Sequence, residues 1–158
     1  MNVAFTLNGE PVGVDVPPTE SLLTLLRTRL DVRSVRETCG LGVCGACTVL
    51  VEGEPLSACL LLAPLVQGAQ VTTAEGLEDD HPVLHAFAEA HAFQCGFCTP
   101  GLILTVANLL EESPRPTEEG IALALAGNLC RCGSYVKIAD AVRRAAASAS
   151  EPSLGLEP

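Results

Sequence analysis

The sequence predicts an α+β protein in two parts, a small sheet carrying one helix followed by a run of helices. Three observations lead there. Apolar residues alternate with others through Val3, Phe5 and Leu7 and again through Val12, Val14 and Val16, the period of a half-buried strand. Leu22, Leu23, Leu25, Leu26 and Leu30 then fall at helical spacing. Beyond Pro82 the pattern changes from period two to helical.

Taken in order, Asn8-Gly9-Glu10-Pro11 supplies the turn that makes the first two alternating runs a β-hairpin. Pro17-Pro18 ends the hairpin, and Thr19 or Ser21 caps the leucine helix. Residues 48–51 are β-rich, Glu52-Gly53 is a turn signal, 56–60 returns as a short antiparallel strand, and 70–73 forms the last strand. The acidic segment 74–82, with Gly76 and Pro82, sets a boundary that divides residues 1–76 from 77–147. Four helices follow, at about 81–90, at about 99–111 with Thr99 as cap and Pro100 in the first turn, at about 118–126 after Thr117, and at about 135–147 after Ser134. Gly127-Asn128 stops the third of these, and 148–158 reads as a disordered tail.

With 48% hydrophobic and 18% charged residues, the 158-residue chain has the composition of a folded protein. One Tyr and no Trp leave little from which to build a base-stacking platform. A formal charge of -10 makes nucleic acid and anionic membrane surfaces poor partners, since both select basic patches. Met1-Asn2-Val3-Ala4 shows no basic region followed by an apolar run, and the most apolar stretch, 58–66, is too short to span a bilayer. The expectation is a cytoplasmic protein with no membrane insertion, export as a passenger on a partner subunit staying open.

The eight cysteines form two groups of four: Cys39, Cys44, Cys47 and Cys59, then Cys95, Cys98, Cys130 and Cys132. A disulfide framework would need an oxidising compartment, for which the chain shows no export signal. The first group has the plant-type ferredoxin spacing, four residues and then two between ligands, with a more distant fourth. Gly40, Gly42 and Gly45 interleave with it, permitting unusual φ angles and bringing backbone N–H groups near the sulfurs. A four-thiolate zinc site is the competing reading, and the gap after Cys39 fits its usual paired spacing poorly. The second group is less specific by itself, because Cys95-Gly96-Phe97-Cys98 also suits a redox dithiol or half a zinc site. Its position where helix ends meet favours a second metal centre. His81, His85 and His91 receive no catalytic role, and no nucleophile with an evident base is visible.

Together, Cys39-Gly40-Leu41-Gly42-Val43-Cys44-Gly45-Ala46-Cys47-Thr48, Gln94-Cys95-Gly96-Phe97-Cys98-Thr99-Pro100-Gly101 and Gly127-Asn128-Leu129-Cys130-Arg131-Cys132 resemble the iron-sulfur subunit of the xanthine dehydrogenase and carbon monoxide dehydrogenase family of molybdenum hydroxylases, over residues 1 to about 147. The resemblance implies a plant-ferredoxin-like β-grasp domain with one [2Fe-2S] cluster on Cys39, Cys44, Cys47 and Cys59. It implies a four-helix bundle with a second [2Fe-2S] cluster on Cys95, Cys98, Cys130 and Cys132. By the same resemblance Gln94 and Cys132 contact the molybdopterin of a large subunit, and electrons pass from there through the helical-domain cluster and then the ferredoxin-domain cluster to FAD in a medium subunit or another acceptor. The chain itself would perform no substrate chemistry. Where many relatives have Thr-Gly-Tyr after the last cysteine, this chain has Gly133-Ser134-Tyr135, which bears on the subfamily. Arg131, between two ligands, reads equally as a potential-raising charge or as a surface ion pair. A free two-cluster ferredoxin and a zinc-stapled interaction module are the rival functions.

Overall fold

The structure, a computed structural model, describes residues 1–148. Five strands form one mixed sheet: β1 (Asn2–Leu7), β2 (Glu10–Asp15), β3 (Thr48–Val51), β4 (Glu54–Ser57) and β5 (Gln70–Thr72), in the order β2-β1-β5-β3-β4. The hairpin sits in the expected register, with Val3 opposite Val14 and Phe5 opposite Val12, and β5 enters parallel to β1 and antiparallel to β3. Helix α1 (Leu22–Thr28) buries Leu22, Leu25 and Leu26 completely against Val3, Phe5, Val49 and Val71. Each such leucine contributes about 1.5–3 kcal/mol by leaving water. Ser21 caps α1 by accepting the Thr24 N–H. A sheet wrapped on one helix is the β-grasp arrangement that the resemblance implies.

The return strand differs from expectation: it runs Glu54–Ser57, not 56–60. β4 is a sheet edge, where Pro55 and the exposed Leu56 cost little. After it the Ser57 carbonyl accepts from the N–H groups of Leu60 and Leu61, turning the chain so that Cys59 lies in a loop. Thr73 leaves the sheet with its N–H donated to the Asn8 side chain.

The second half contains α2 (Pro82–Glu89), α3 (Thr99–Glu112), α4 (Glu118–Leu125) and α5 (Tyr135–Ser148) around Phe87, Leu102, Val106, Ile138 and Val142. His81 caps α2 through Nδ1, and Thr117 caps α4. Thr99 is not the cap of α3; Cys98 occupies that position, and the Thr99 hydroxyl is buried without a partner. Within the described residues α5 runs to Ser148, and the rest of the expected tail lies outside them. Helix α3 packs on β3 and β4 as well as on its own bundle, joining the two hydrophobic cores. Among the described residues no helix is long and apolar enough to cross a membrane.

Candidate metal centres

The loop between α1 and β3 carries Cys39, Cys44 and Cys47, and the turn after β4 brings Cys59 to them. Gly42 has φ 71°, a left-handed conformation that favours glycine where the loop curls over the sulfurs, and a side chain there would also press on Leu60. The curl turns backbone donors inward: the Leu41 N–H donates to Cys39 Sγ at 3.3 Å. That donor, joined by the N–H groups of Val43 and Cys44 and by the Cys44 thiol, lowers the Cys39 thiol to about 6. Cys47 behaves oppositely. Burial pushes it up to about 11, with the neighbouring Cys59 thiol as its side-chain partner. Cys39 thus feels the Cys44 thiol, and Cys47 feels Cys59 and then Cys44.

The second quartet is built on different elements. Cys95 and Cys98 end the loop entering α3, while Cys130 and Cys132 lie between α4 and α5. Cys95 and Cys132 have their sulfurs 3.6 Å apart. The Phe97 N–H and then the Cys132 thiol lower the Cys95 thiol. Burial, followed by the Cys130 thiol beside it, pushes Cys98 up to about 12. Burial also acts to raise Cys130, but the Ser134 N–H and the Cys98 thiol outweigh it and hold that thiol below its ordinary value. The Ser134 N–H reaches Cys130 Sγ at 3.5 Å.

None of the eight cysteines is joined in a disulfide. Among the described residues no three His, Cys, Asp or Glu side chains converge as ligands of one ion. Neighbouring thiols in each quartet, with amide donors aimed at the sulfurs, suit a cluster that takes two thiolates at each of two irons. The donor set and its N–H groups thus fit a [2Fe-2S] cluster in each loop, and such donors favour its more negative state.

The remaining residues singled out in the sequence divide. Gln94 is exposed and precedes Cys95, whose sulfur lies 3.6 Å from that of Cys132. Arg131 is exposed and makes no ion pair among the described residues. Two residues were missed as parts of the site. The Tyr135 hydroxyl donates to the Asn128 carbonyl at 3.0 Å and accepts the Cys130 N–H at 2.9 Å, pinning the second loop to α5. Asn128, read as a helix stop and as a member of the 127–132 string, is buried between the loops. The lone Tyr of the chain, close behind the last cysteine, was the available signal for the first, and membership of the 127–132 string was the signal for the second.

The loops meet. The Leu129 N–H donates to the Cys44 carbonyl at 2.9 Å, and the Arg36 guanidinium lies 5.3 Å from the centre of the Phe97 ring. Beside these contacts a cavity of about 410 Å³ is lined by Cys44, Cys95, Phe97, Cys98, Leu129 and Cys130, among others.

Comparison with known proteins agrees with this arrangement. The family described as 2Fe-2S iron-sulfur cluster binding domain matches residues 5–81, and the one described as [2Fe-2S] binding domain matches residues 73–143. The nicotinate dehydrogenase small FeS subunit of Eubacterium barkeri is 46% identical over 148 residues, covering 92% of this chain and 94% of that one. The nicotine 6-hydroxylase small subunit of Paenarthrobacter nicotinovorans is 42% identical over 144 residues, covering 90% and 87%. In the crystal structure of quinoline 2-oxidoreductase from Pseudomonas putida 86, a chain 37% identical superposes with a TM-score of 0.90 over 94% of both chains.

Proposed function

Since the chain belongs to the iron-sulfur subunits of the xanthine dehydrogenase and carbon monoxide dehydrogenase family of molybdenum hydroxylases, we propose that Cys39, Cys44, Cys47 and Cys59 hold one of its two [2Fe-2S] clusters and that Cys95, Cys98, Cys130 and Cys132 hold the other. It is the electron-transfer component of a multi-subunit oxidoreductase. When bound, such clusters take up and release one electron at a time, which divides a two-electron oxidation at molybdenum into single transfers. The residues of this chain position the thiolates, aim N–H donors at them and keep the two loops in contact. The division into residues 1–76 and 77–147 belongs to the same proposal, supported by the two separate hydrophobic cores. The single observation that carries the ligand assignment is the approach of Cys132 to Cys95 from a different element, sulfur to sulfur at 3.6 Å, with neighbouring thiols acting on one another in each quartet.

Two apolar rims support larger partners at both ends. Leu41, Val43 and Leu60, each more than 60% exposed, surround the first quartet, and Phe93, Phe97 and Leu129 surround the second. An exposed rim of this kind marks an interface. We assign the second rim, with Gln94 and Cys132, to the molybdopterin subunit, and the first to a medium FAD-binding subunit, in a cytoplasmic complex. Purification of the native complex tests this: a large and a medium subunit, with bound flavin, accompany the chain. A chain recovered alone at 16.4 kDa would instead identify a free ferredoxin.

A further inference from the structure

We infer that Asn128 is a positioning residue for electron transfer, whose side chain fixes the approach of the two cysteine loops and keeps the Cys44 carbonyl on the Leu129 amide. The inference rests on the two-cluster reading above. Asn128 is 4% exposed, and each polar atom of its side chain has a partner. Its Nδ2 donates to the Gly45 carbonyl at 3.0 Å and to the Thr48 hydroxyl at 3.4 Å. Its Oδ1 lies 3.0 Å from the Thr105 hydroxyl, which is also 3.0 Å from the Gly101 carbonyl. One side chain thus connects β3, the first cysteine loop and α3 from a position just before Cys130 in the chain.

The contact repeats on the backbone. Consecutive carbonyls of the first loop, Cys44 and Gly45, accept from consecutive residues of the second, Leu129 through its amide and Asn128 through its side chain. The spacing has no slack, since a Cβ on Gly45 would stand 2.4 Å from the Gly127 carbonyl and 2.5 Å from Asn128 Nδ2. The route Cys44, Leu129, Cys130 links a ligand of one quartet to a ligand of the other through covalent bonds and one hydrogen bond. Next to it the loops are separated by the 410 Å³ cavity. Electronic coupling decays far less steeply along bonds than across open space, so the hydrogen bond that Asn128 holds in register governs communication between the quartets.

Unpaired spins on two reduced clusters split each other's EPR lines, and the splitting reports their separation and bonded contact without turnover. In the native complex, Asn128→Ala and Thr105→Val should keep about four irons per chain and each cluster's own g values but alter the parental splitting. Thr105→Ser, which restores the hydroxyl, should keep it. Val142→Ala weakens the helical core away from the loops and should leave it unchanged, which separates positioning from general loss of stability. If Asn128→Ala does not accumulate, the Thr105 pair decides. Parental splitting in Thr105→Val, or in both variants where both accumulate, overturns the inference. A parental complex lacking two [2Fe-2S] signals overturns the cluster reading beneath it instead.

Discussion

A methyl group added to Gly101 would stand 2.3 Å from the carbonyl oxygen of Gly45. The first turn of α3 therefore touches the first cysteine loop backbone to backbone, and no rotamer change can relieve a side chain placed there. Gly101→Ala should destabilise the chain by about 1–3 kcal/mol, the range for overpacking a filled interior. Gly127→Ala, which meets open space at an ordinary φ, should stay within about 1 kcal/mol of the parent. Denaturant midpoints of the two variants check the contrast.

Phe87 is among the largest fully enclosed side chains and anchors α2 in the helical core. Phe87→Ala should cost about 3–5 kcal/mol, transfer and cavity together. Urea unfolding followed by circular dichroism measures it.

Arg143 grips Glu118 with two hydrogen bonds, of 2.7 and 2.9 Å, tying α5 to the start of α4. The side-chain hydrogen bond holds the Glu118 carboxyl below the usual carboxylate range. A carboxyl depressed in the folded state stabilises above its unfolded pKa and stops doing so as pH falls through the folded value. Glu118→Gln should lower Tm slightly at neutral pH, the pair being exposed. The difference should close in acid. Thermal melts across the acid range test the sign, and a gap that widens on acidification would contradict it.

Cys132→Ala removes one thiol of the close Cys95 pair. It should abolish the helical-half cluster and leave the spectrum of the first intact, because the first quartet sits on separate elements. EPR of the reduced variant reads this directly, and loss of both signals would contradict independent quartets.

The hairpin and α1 were legible because burial on one face writes its period into the sequence, and β3 because residues 48–51 are β-rich and end at a turn signal. The cysteine grouping was legible because the ligands of the first loop are local. β4 was misplaced because Pro55 reads as a breaker, though at a sheet edge it gives up no ladder bond. The cap of α3 was expected at Thr99 and lies at Cys98, since a threonine before proline has the chemistry of a cap whether or not it serves as one. The clamping contact of Asn128 was beyond reach for a different reason: its Gly45 partner is 83 residues away, and nothing local distinguishes a helix stop from a clamp between loops.

The most direct test of the account is a combined count of iron, acid-labile sulfide and reducible spins in the native complex. Two thiol quartets used as proposed predict about four irons, about four sulfides and about two unpaired spins per chain, in two distinguishable [2Fe-2S] signals. Single metal ions without sulfide, or one signal from eight cysteines, would contradict it.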